Sequence, residues 1–183
     1  MEIGIDMMTD ILTMGKNART ASRSLGKLGT NKKNEVLLAV AEAIRANADY
    51  ILEENHKDVE QGKADGMKSG LLDRLTLTKT RIDGMADGVN QVAGLDDPVG
   101  EVLSMKKRPN GLLIGKKRVP FGVIAVIYES RPNVTLDTFG LCFKTGNAVI
   151  LKGGSDAINS NIAIANVIRE ALKANGIDEN ALQ

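Results

Sequence analysis

Only one of the 183 residues is a cysteine, Cys142. No disulfide within the chain and no multi-thiolate metal site can form, and a reducing compartment is expected. An excess of one charge is also missing: Lys and Arg total 24 against 23 Asp and Glu, a formal net charge of +1. That balance lacks the clustered cations needed to neutralise a phosphate backbone, so no nucleic-acid partner is expected. The basic runs Lys106-Lys107-Arg108 and Lys116-Lys117-Arg118 read as solvated strand edges, because no aromatic residues alternate with them. No stretch approaches the roughly 18 apolar residues of a membrane span, which excludes a transmembrane helix. The opening residues Met1, Glu2 and Ile3 soon meet Asp6 and Asp10. They offer neither a basic start nor an unbroken apolar stretch, so no export signal and a cytoplasmic location are expected. Internal repeats and low-complexity segments are lacking too. His56, the only histidine, lies in a polar stretch beside Lys57 and Asp58 and is expected at the surface, with no metal site.

What is present is the composition of a soluble globular protein, 43% hydrophobic and 26% charged, at a length suited to one full-sized domain. Met7, Ile11, Met14, Ala18, Ala21 and Leu25 recur at offsets of three and four, predicting a helix to about Leu25, broken by Gly26 and Gly29. Leu37, Val40, Ala41, Ile44, Ala48, Ile51 and Leu52 define one face of a second helix. A third is predicted over 71–92, weakened by Gly84 and Gly88, with Thr78 able to restart it as an N-cap.

After Asp97-Pro98 the helical spacing gives way to two short runs around Pro109-Asn110-Gly111. Asn-Gly at such a place predicts a projecting hairpin in which both turn residues adopt positive φ, one end of it buried and the other wet. The run from Gly122 to Tyr128 is continuously apolar and rich in β-branched residues, as expected of a strand buried on both faces. A helix over about 134–144, a turn at Gly146-Asn147, a second buried strand over 148–151 and a last helix over about 156–174 follow, stopped by Asn175-Gly176. The order β-α-β-α predicts a parallel sheet with right-handed crossovers. Another strand is expected to begin near Ala181-Leu182-Gln183, so the sheet looks unfinished.

Two loops leave the C-terminal ends of these strands, where ligands of open α/β sheets bind. In Glu129-Ser130-Arg131-Pro132-Asn133, Arg131 offers a planar fork for phosphate or carboxylate, and Asn133 an amide donor near a helix N-terminus. The plainer alternative makes Asn133 a helix cap and Arg131 an exposed loop residue. In Lys152-Gly153-Gly154-Ser155, two glycines allow close backbone approach, and Lys152 with Ser155 can bind phosphate or ribose oxygens at a helix N-terminus. The plainer alternative there is an N-cap at Ser155 or Asp156.

The stretches Val119-Pro120-Phe121-Gly122-Val123-Ile124, Tyr128-Glu129-Ser130-Arg131-Pro132-Asn133-Val134-Thr135 and 144–155, ending Leu151-Lys152-Gly153-Gly154-Ser155, resemble γ-glutamyl phosphate reductase. That family is also called glutamate-5-semialdehyde dehydrogenase and belongs to the aldehyde dehydrogenase superfamily. The resemblance implies an α/β fold with N-terminal helices (1–100), a β-hairpin of the kind that joins subunits (101–119) and the first βαβα of a truncated Rossmann-like cofactor-binding domain (120–183), the catalytic domain lying beyond. It implies reduction of γ-glutamyl phosphate to glutamate 5-semialdehyde by NADPH in proline biosynthesis, through a cysteine thiolate that attacks the acyl phosphate and a thioester reduced by hydride. Asn133 would steady the oxyanion. Ser130, Arg131, Pro132, Lys152, Gly153, Gly154 and Ser155 would line the cofactor, with Lys152 on the adenosine ribose and Ser155 leaving room for the 2′-phosphate. Glutamate 5-kinase is a candidate partner, and a homo-oligomer is expected if the hairpin pairs. The family's nucleophile lies beyond residue 183, and Cys142, between Leu141 and Phe143, is expected to be a buried inert thiol. The competing expectations are a non-enzymatic remnant that keeps part of a nucleotide site, and an interaction module.

Overall fold

The computed structural model describes the backbone of residues 3–183 and the side chains from residue 11 onward. The side chain of Met7, counted in the first helical stripe, lies outside the described residues, as do Met1 and Glu2. Five helices come first: α1 (Ile3–Leu25), α2 (Thr30–Ala46), α3 (Ala48–Ala64), α4 (Ser69–Leu75) and α5 (Lys79–Gly94). Then come β1 (Val102–Lys107), β2 (Leu113–Lys117), β3 (Val123–Ile127), α6 (Pro132–Lys144), β4 (Ala148–Lys152) and α7 (Ile158–Ala174).

The predicted second helix is two, because Asn47 interrupts it. Its side-chain amide donates to the Ala43 carbonyl at 2.8 Å, competing with the helical ladder as Asn does, and the chain restarts as α3. Of the predicted stripe, Leu37, Val40, Ala41, Ile44, Ala48 and Ile51 are buried and Leu52 is half-buried. Ala18, Ala21 and Leu25 are buried on α1, whereas Ile11 is exposed. The third predicted helix is also divided. Thr78 caps α5 by accepting from Arg81 N at 3.2 Å, and the gap before it is spanned by Asn55 of α3, whose amide donates to Leu75 O and accepts from Leu77 N, each at 2.8 Å.

The hairpin forms, with β1 antiparallel to β2 and a bulge between Val102 and Ser104. Its turn differs from the predicted one. Arg108 N donates to Leu112 O and Gly111 N to Arg108 O, and only Gly111 has a positive φ, +88°. This is a three-residue loop, a type I turn with Pro109 leading and Gly111 as the left-handed bulge residue. Every residue of both strands is exposed, so neither end of the hairpin is buried.

β3 and β4 pair in parallel, Val123 opposite Ala148 through Ile127 opposite Lys152. The predicted third strand begins on the far side of β4: Val149 bridges to Leu182 in parallel, Gln183 N donates to Val149 O and Leu151 N to Gln183 O. Both faces of the sheet are covered at the start of β4, since the consecutive residues Ala148 and Val149 point to opposite faces and are both fully buried. α1 and α6 are packed on this strand. β3 departs from expectation: Ala125 is exposed and Ile127 is 81% exposed. An unbroken apolar run reports a taste for burial, and within these residues β3 is an edge strand with a partner on one side only.

One apolar core runs from Ala18 through the facing sides of α2, α5, α6 and α7 to Leu182, so helices and sheet are fused into one packed unit. Beneath it sits a buried polar knot. Lys33 Nζ donates to Lys144 O at 3.0 Å and pairs with Asp97, while Lys144 Nζ donates to Asn34 Oδ1 at 2.6 Å and Ala93 O at 2.8 Å. Gly146, at φ +75°, closes α6, its N–H bonding Phe143 O and that of Asn147 bonding Cys142 O. This left-handed cap turns the chain straight into β4.

Candidate functional site at the strand ends

Pairing between β3 and β4 continues to Tyr128 N, which donates to Lys152 O at 3.1 Å, so both predicted loops leave the same edge side by side. Pro132 opens α6, where a fixed φ and a missing N–H are harmless, and Arg131 occupies the cap position without capping through its side chain. Asn133 does not cap the helix either. Its Nδ2 donates to Asp137 Oδ2 one turn on, at 3.0 Å, which fixes the amide and leaves its second N–H available. Burial pushes the Asp137 carboxyl above the usual aspartate value, against the opposing effect of that hydrogen bond.

The glycines of the second loop serve contact between the loops. A Cβ on Gly154 would sit 2.3 Å from Ser130 Oγ and 3.0 Å from Ser130 N; one on Gly153 would sit 2.3 Å from Asn161 Nδ2 and 3.1 Å from the Tyr128 hydroxyl. The close approach expected of a ligand is made by the chain's own atoms. Below the loops runs a hydrogen-bonded chain: Thr135 donates to Asn161 Oδ1 at 3.0 Å, so its oxygen accepts from Tyr128 OH at 2.7 Å. Asn161 Nδ2 is sealed from solvent and has no acceptor among the described residues. Burial pushes the Tyr128 phenol above its ordinary value, so it stays protonated and remains the donor. Ser130 Oγ donates to Asp156 Oδ2 at 3.1 Å, tying the loops together again.

The helix N-terminus expected to receive an anion is already filled. A short 3₁₀ turn, Ser155–Ala157, precedes α7, and neither Ser155 nor Asp156 caps the helix. The cap is the buried carboxylate of Asp58 on α3, which accepts from Asn159 N at 3.2 Å and from Ser160 N at 2.8 Å. Lys152 and Ser155 are exposed, and Lys152 has no ion-pair partner among the described residues. Their side chains are open to solvent, and the helix terminus, filled by Asp58, adds no donors to them.

On the other flank of Asn133, a cleft of about 560 Å³ lies between α5, the end of α4 and the start of α6, lined by Arg74, Arg81, Arg131, Asn133 and Asp137 among others. Sequence reading missed Arg74, Arg81 and Asp137. Asp137 was findable as the i+4 neighbour of Asn133. Asp58 and Asn55 share the buried stripe of Ile51, and Asn161 shares that of Ala157 and Ile164, which marks all three as buried polar groups in need of partners. Cys142 is buried, and burial raises its thiol pKa. His56 is exposed, and no cluster of metal-ligating side chains occurs among the described residues.

Residues 7–183, from the N-terminal helices through the exposed hairpin and the parallel strand pair, match the family model described as "Aldehyde dehydrogenase family". The chain belongs to the aldehyde dehydrogenase family. Its similarity is sharper than that: it is 60% identical over 175 residues to the γ-glutamyl phosphate reductase of Lachnospira eligens, covering 96% of this chain and 42% of that protein. Among solved structures, the γ-glutamyl phosphate reductase of Thermotoga maritima superposes with a TM-score of 0.91 at 46% identity, covering 94% of this chain and 42% of that one. The Saccharomyces cerevisiae γ-glutamyl phosphate reductase gives 0.88 at 34%, covering 93% and 45%. The chain thus spans less than half the length of each of these relatives.

Proposed function

We propose that these residues form the NADPH-binding and oxyanion-stabilising part of a γ-glutamyl phosphate reductase, acting in L-proline biosynthesis. The observation that carries the reading is Asn133, held by Asp137 in the lining of a cleft that also presents Arg74, Arg81 and Arg131, on the strand-end loop beside the one that carries Lys152 and Ser155. The substrate is the acyl phosphate made by glutamate 5-kinase. Bound NADPH supplies a hydride to the acyl carbon. Lys152 holds the adenosine ribose through its hydroxyl oxygens, and Ser155, small and neutral, leaves room for a 2′-phosphate that an acidic side chain would repel. The free N–H of Asn133 steadies the negative oxygen that develops as the acyl carbon becomes tetrahedral, and the Asp137 bond keeps that amide from turning. The nucleophilic thiolate comes from outside these 183 residues, because Cys142 is buried with its thiol pKa raised.

The test is NADPH oxidation with freshly generated γ-glutamyl phosphate. The 183-residue chain alone should give no turnover, and the sequence completed to the length of its relatives should give turnover that Asn133→Ala reduces. Turnover by the short chain that Cys142→Ser abolishes would overturn the reading.

The hairpin favours a second, compatible role. Leu103, Met105, Leu113 and Ile114 are exposed on strands whose outer edges are unpaired among the described residues, as expected of a surface that joins another copy. Sedimentation that remains monomeric at every concentration would remove this role.

A further inference from the structure

We infer that Arg74 and Arg131 together form the clamp for the phosphoryl group of the acyl phosphate; this rests on the reading of the Asn133 cleft given above. The two arginines line both the cleft that contains Asn133 and a neighbouring one of about 310 Å³ that contains Ser130 and Glu129, so they stand in the wall between them. Neither is satisfied. Arg74 has no ion-pair or hydrogen-bond partner among the described residues, and Arg131 reaches only Glu129, at 3.7 Å from Nε. That is too long for a hydrogen bond, and this Nε is sealed from solvent without an acceptor. The rest of that guanidinium is open to the cleft, the Arg131 side chain being 43% exposed, so its terminal nitrogens are the donors an incoming oxygen can reach.

The third arginine of the cleft is committed elsewhere. Arg81 bonds the Thr76 carbonyl at 2.7 Å, the Asp73 carbonyl, and the Asp73 carboxylate at 2.9 Å. It thereby neutralises Asp73 and braces the end of α4 from which Arg74 projects. In the Asn133 cleft the other carboxylate, Asp137, is engaged by Asn133; in the neighbouring one Asp156 accepts from Ser130 and Glu129 is 77% exposed. Two guanidinium groups are left to face the ligand, as a dianion requires, and planar forks suit phosphoryl oxygens. The position favours the phosphoryl end of the substrate over its α-carboxylate. In an acyl phosphate the bridging oxygen that carries the phosphoryl group is bonded to the same carbon as the carbonyl oxygen assigned to Asn133, and Arg131, at the cap of α6, lies two residues from Asn133. The α-carboxylate is at the far end of the glutamyl chain. Arg74 is therefore a specificity residue that sequence motifs do not mark, supplied from a helix 59 positions upstream of Asn133.

The experiment is an NMR titration of the 183-residue chain with inorganic phosphate, following the Nε–H signals of the arginines and the amides of Ser130 to Val134, with L-glutamate in a parallel arm. Phosphate should shift the Arg74 and Arg131 signals saturably, and Arg74→Gln, an exposed change that leaves the core intact, should weaken the affinity roughly tenfold, the loss of one charge-assisted hydrogen bond. Arg74→Lys should restore only part of it. Saturation by glutamate in place of phosphate would transfer the clamp to the carboxylate and overturn the assignment. So would phosphate shifts that are absent, or unchanged by Arg74→Gln. The titration needs neither NADPH nor turnover, so its outcome is independent of whether the reductase reading survives its own assay.

Discussion

Asp58 on α3 caps α7 from 102 residues away, its Oδ2 accepting from the backbone N–H of Ser160 at 2.8 Å. The same carboxylate accepts from the side chains of Ser160, at 2.5 Å, and Asn159, at 2.8 Å. A buried anion at the positive end of a helix, with four donors, carries far more stability than a surface pair. Asp58→Ala should destabilise the chain by about 3 kcal/mol, since it strands several buried donors. Urea unfolding followed by circular dichroism measures the loss, and a cost within ~0.5 kcal/mol of zero would show that the cap is dispensable.

The two loop glycines should tolerate nothing larger. Gly154→Ala places a methyl against both backbone and side chain of Ser130, so the β3 and β4 loops must separate, at a cost of about 1–3 kcal/mol. Gly84→Ala serves as the opposite control: it lies inside α5 with nothing within 4 Å of the new Cβ, and should stabilise by about 1 kcal/mol. Thermal melts of the two variants should move in opposite directions.

Asp97 should set the acid limit of stability. Burial opposes its ionisation, yet hydrogen bonds from Lys33, Val99 and Thr30 outweigh that and hold the carboxyl below the usual aspartate value. A folded-state pKa lower than the unfolded one contributes stability that is present above about pH 4 and lost as pH falls through the folded value. Stability measured from pH 7 to pH 3 should therefore fall more steeply in the wild type than in Asp97→Asn. The variant should also lose about 3 kcal/mol at pH 7, because Lys33, 1% exposed, is left without its counter-charge.

Cys142 should be silent in the native state. Its thiol is buried and its pKa raised by burial, so a disulfide reagent at pH 7.5 should label it only as fast as the chain unfolds, and promptly in denaturant.

Local chemistry was legible in the residues themselves. The Thr78 cap, the Gly146 and Gly176 stops, the hairpin around Gly111 and the strand at Ala148 follow from propensities within a few neighbours. What escaped depends on distance along the chain. Nothing near Ser155 reveals that the α7 terminus is taken by Asp58, and nothing near Asn133 reveals Arg74 across the cleft. Two glycines such as Gly153-Gly154 signal only that something comes close, which suits a ligand and the chain's own atoms equally. Here the close atoms are those of Ser130, Tyr128 and Asn161. The exposure of β3 has a similar origin: apolar spacing states what a strand requires, and burial of Ile127 depends on a layer that these residues do not supply.

Whether the paired strand-end loops bind NADPH is tested most directly by titration of this chain with NADPH, followed by nicotinamide fluorescence. Saturable binding that is weakened about tenfold by Lys152→Ala, and that is tighter for NADPH than for NADH, is the predicted result. Absence of saturable binding, or an affinity that Lys152→Ala leaves unchanged, would contradict it.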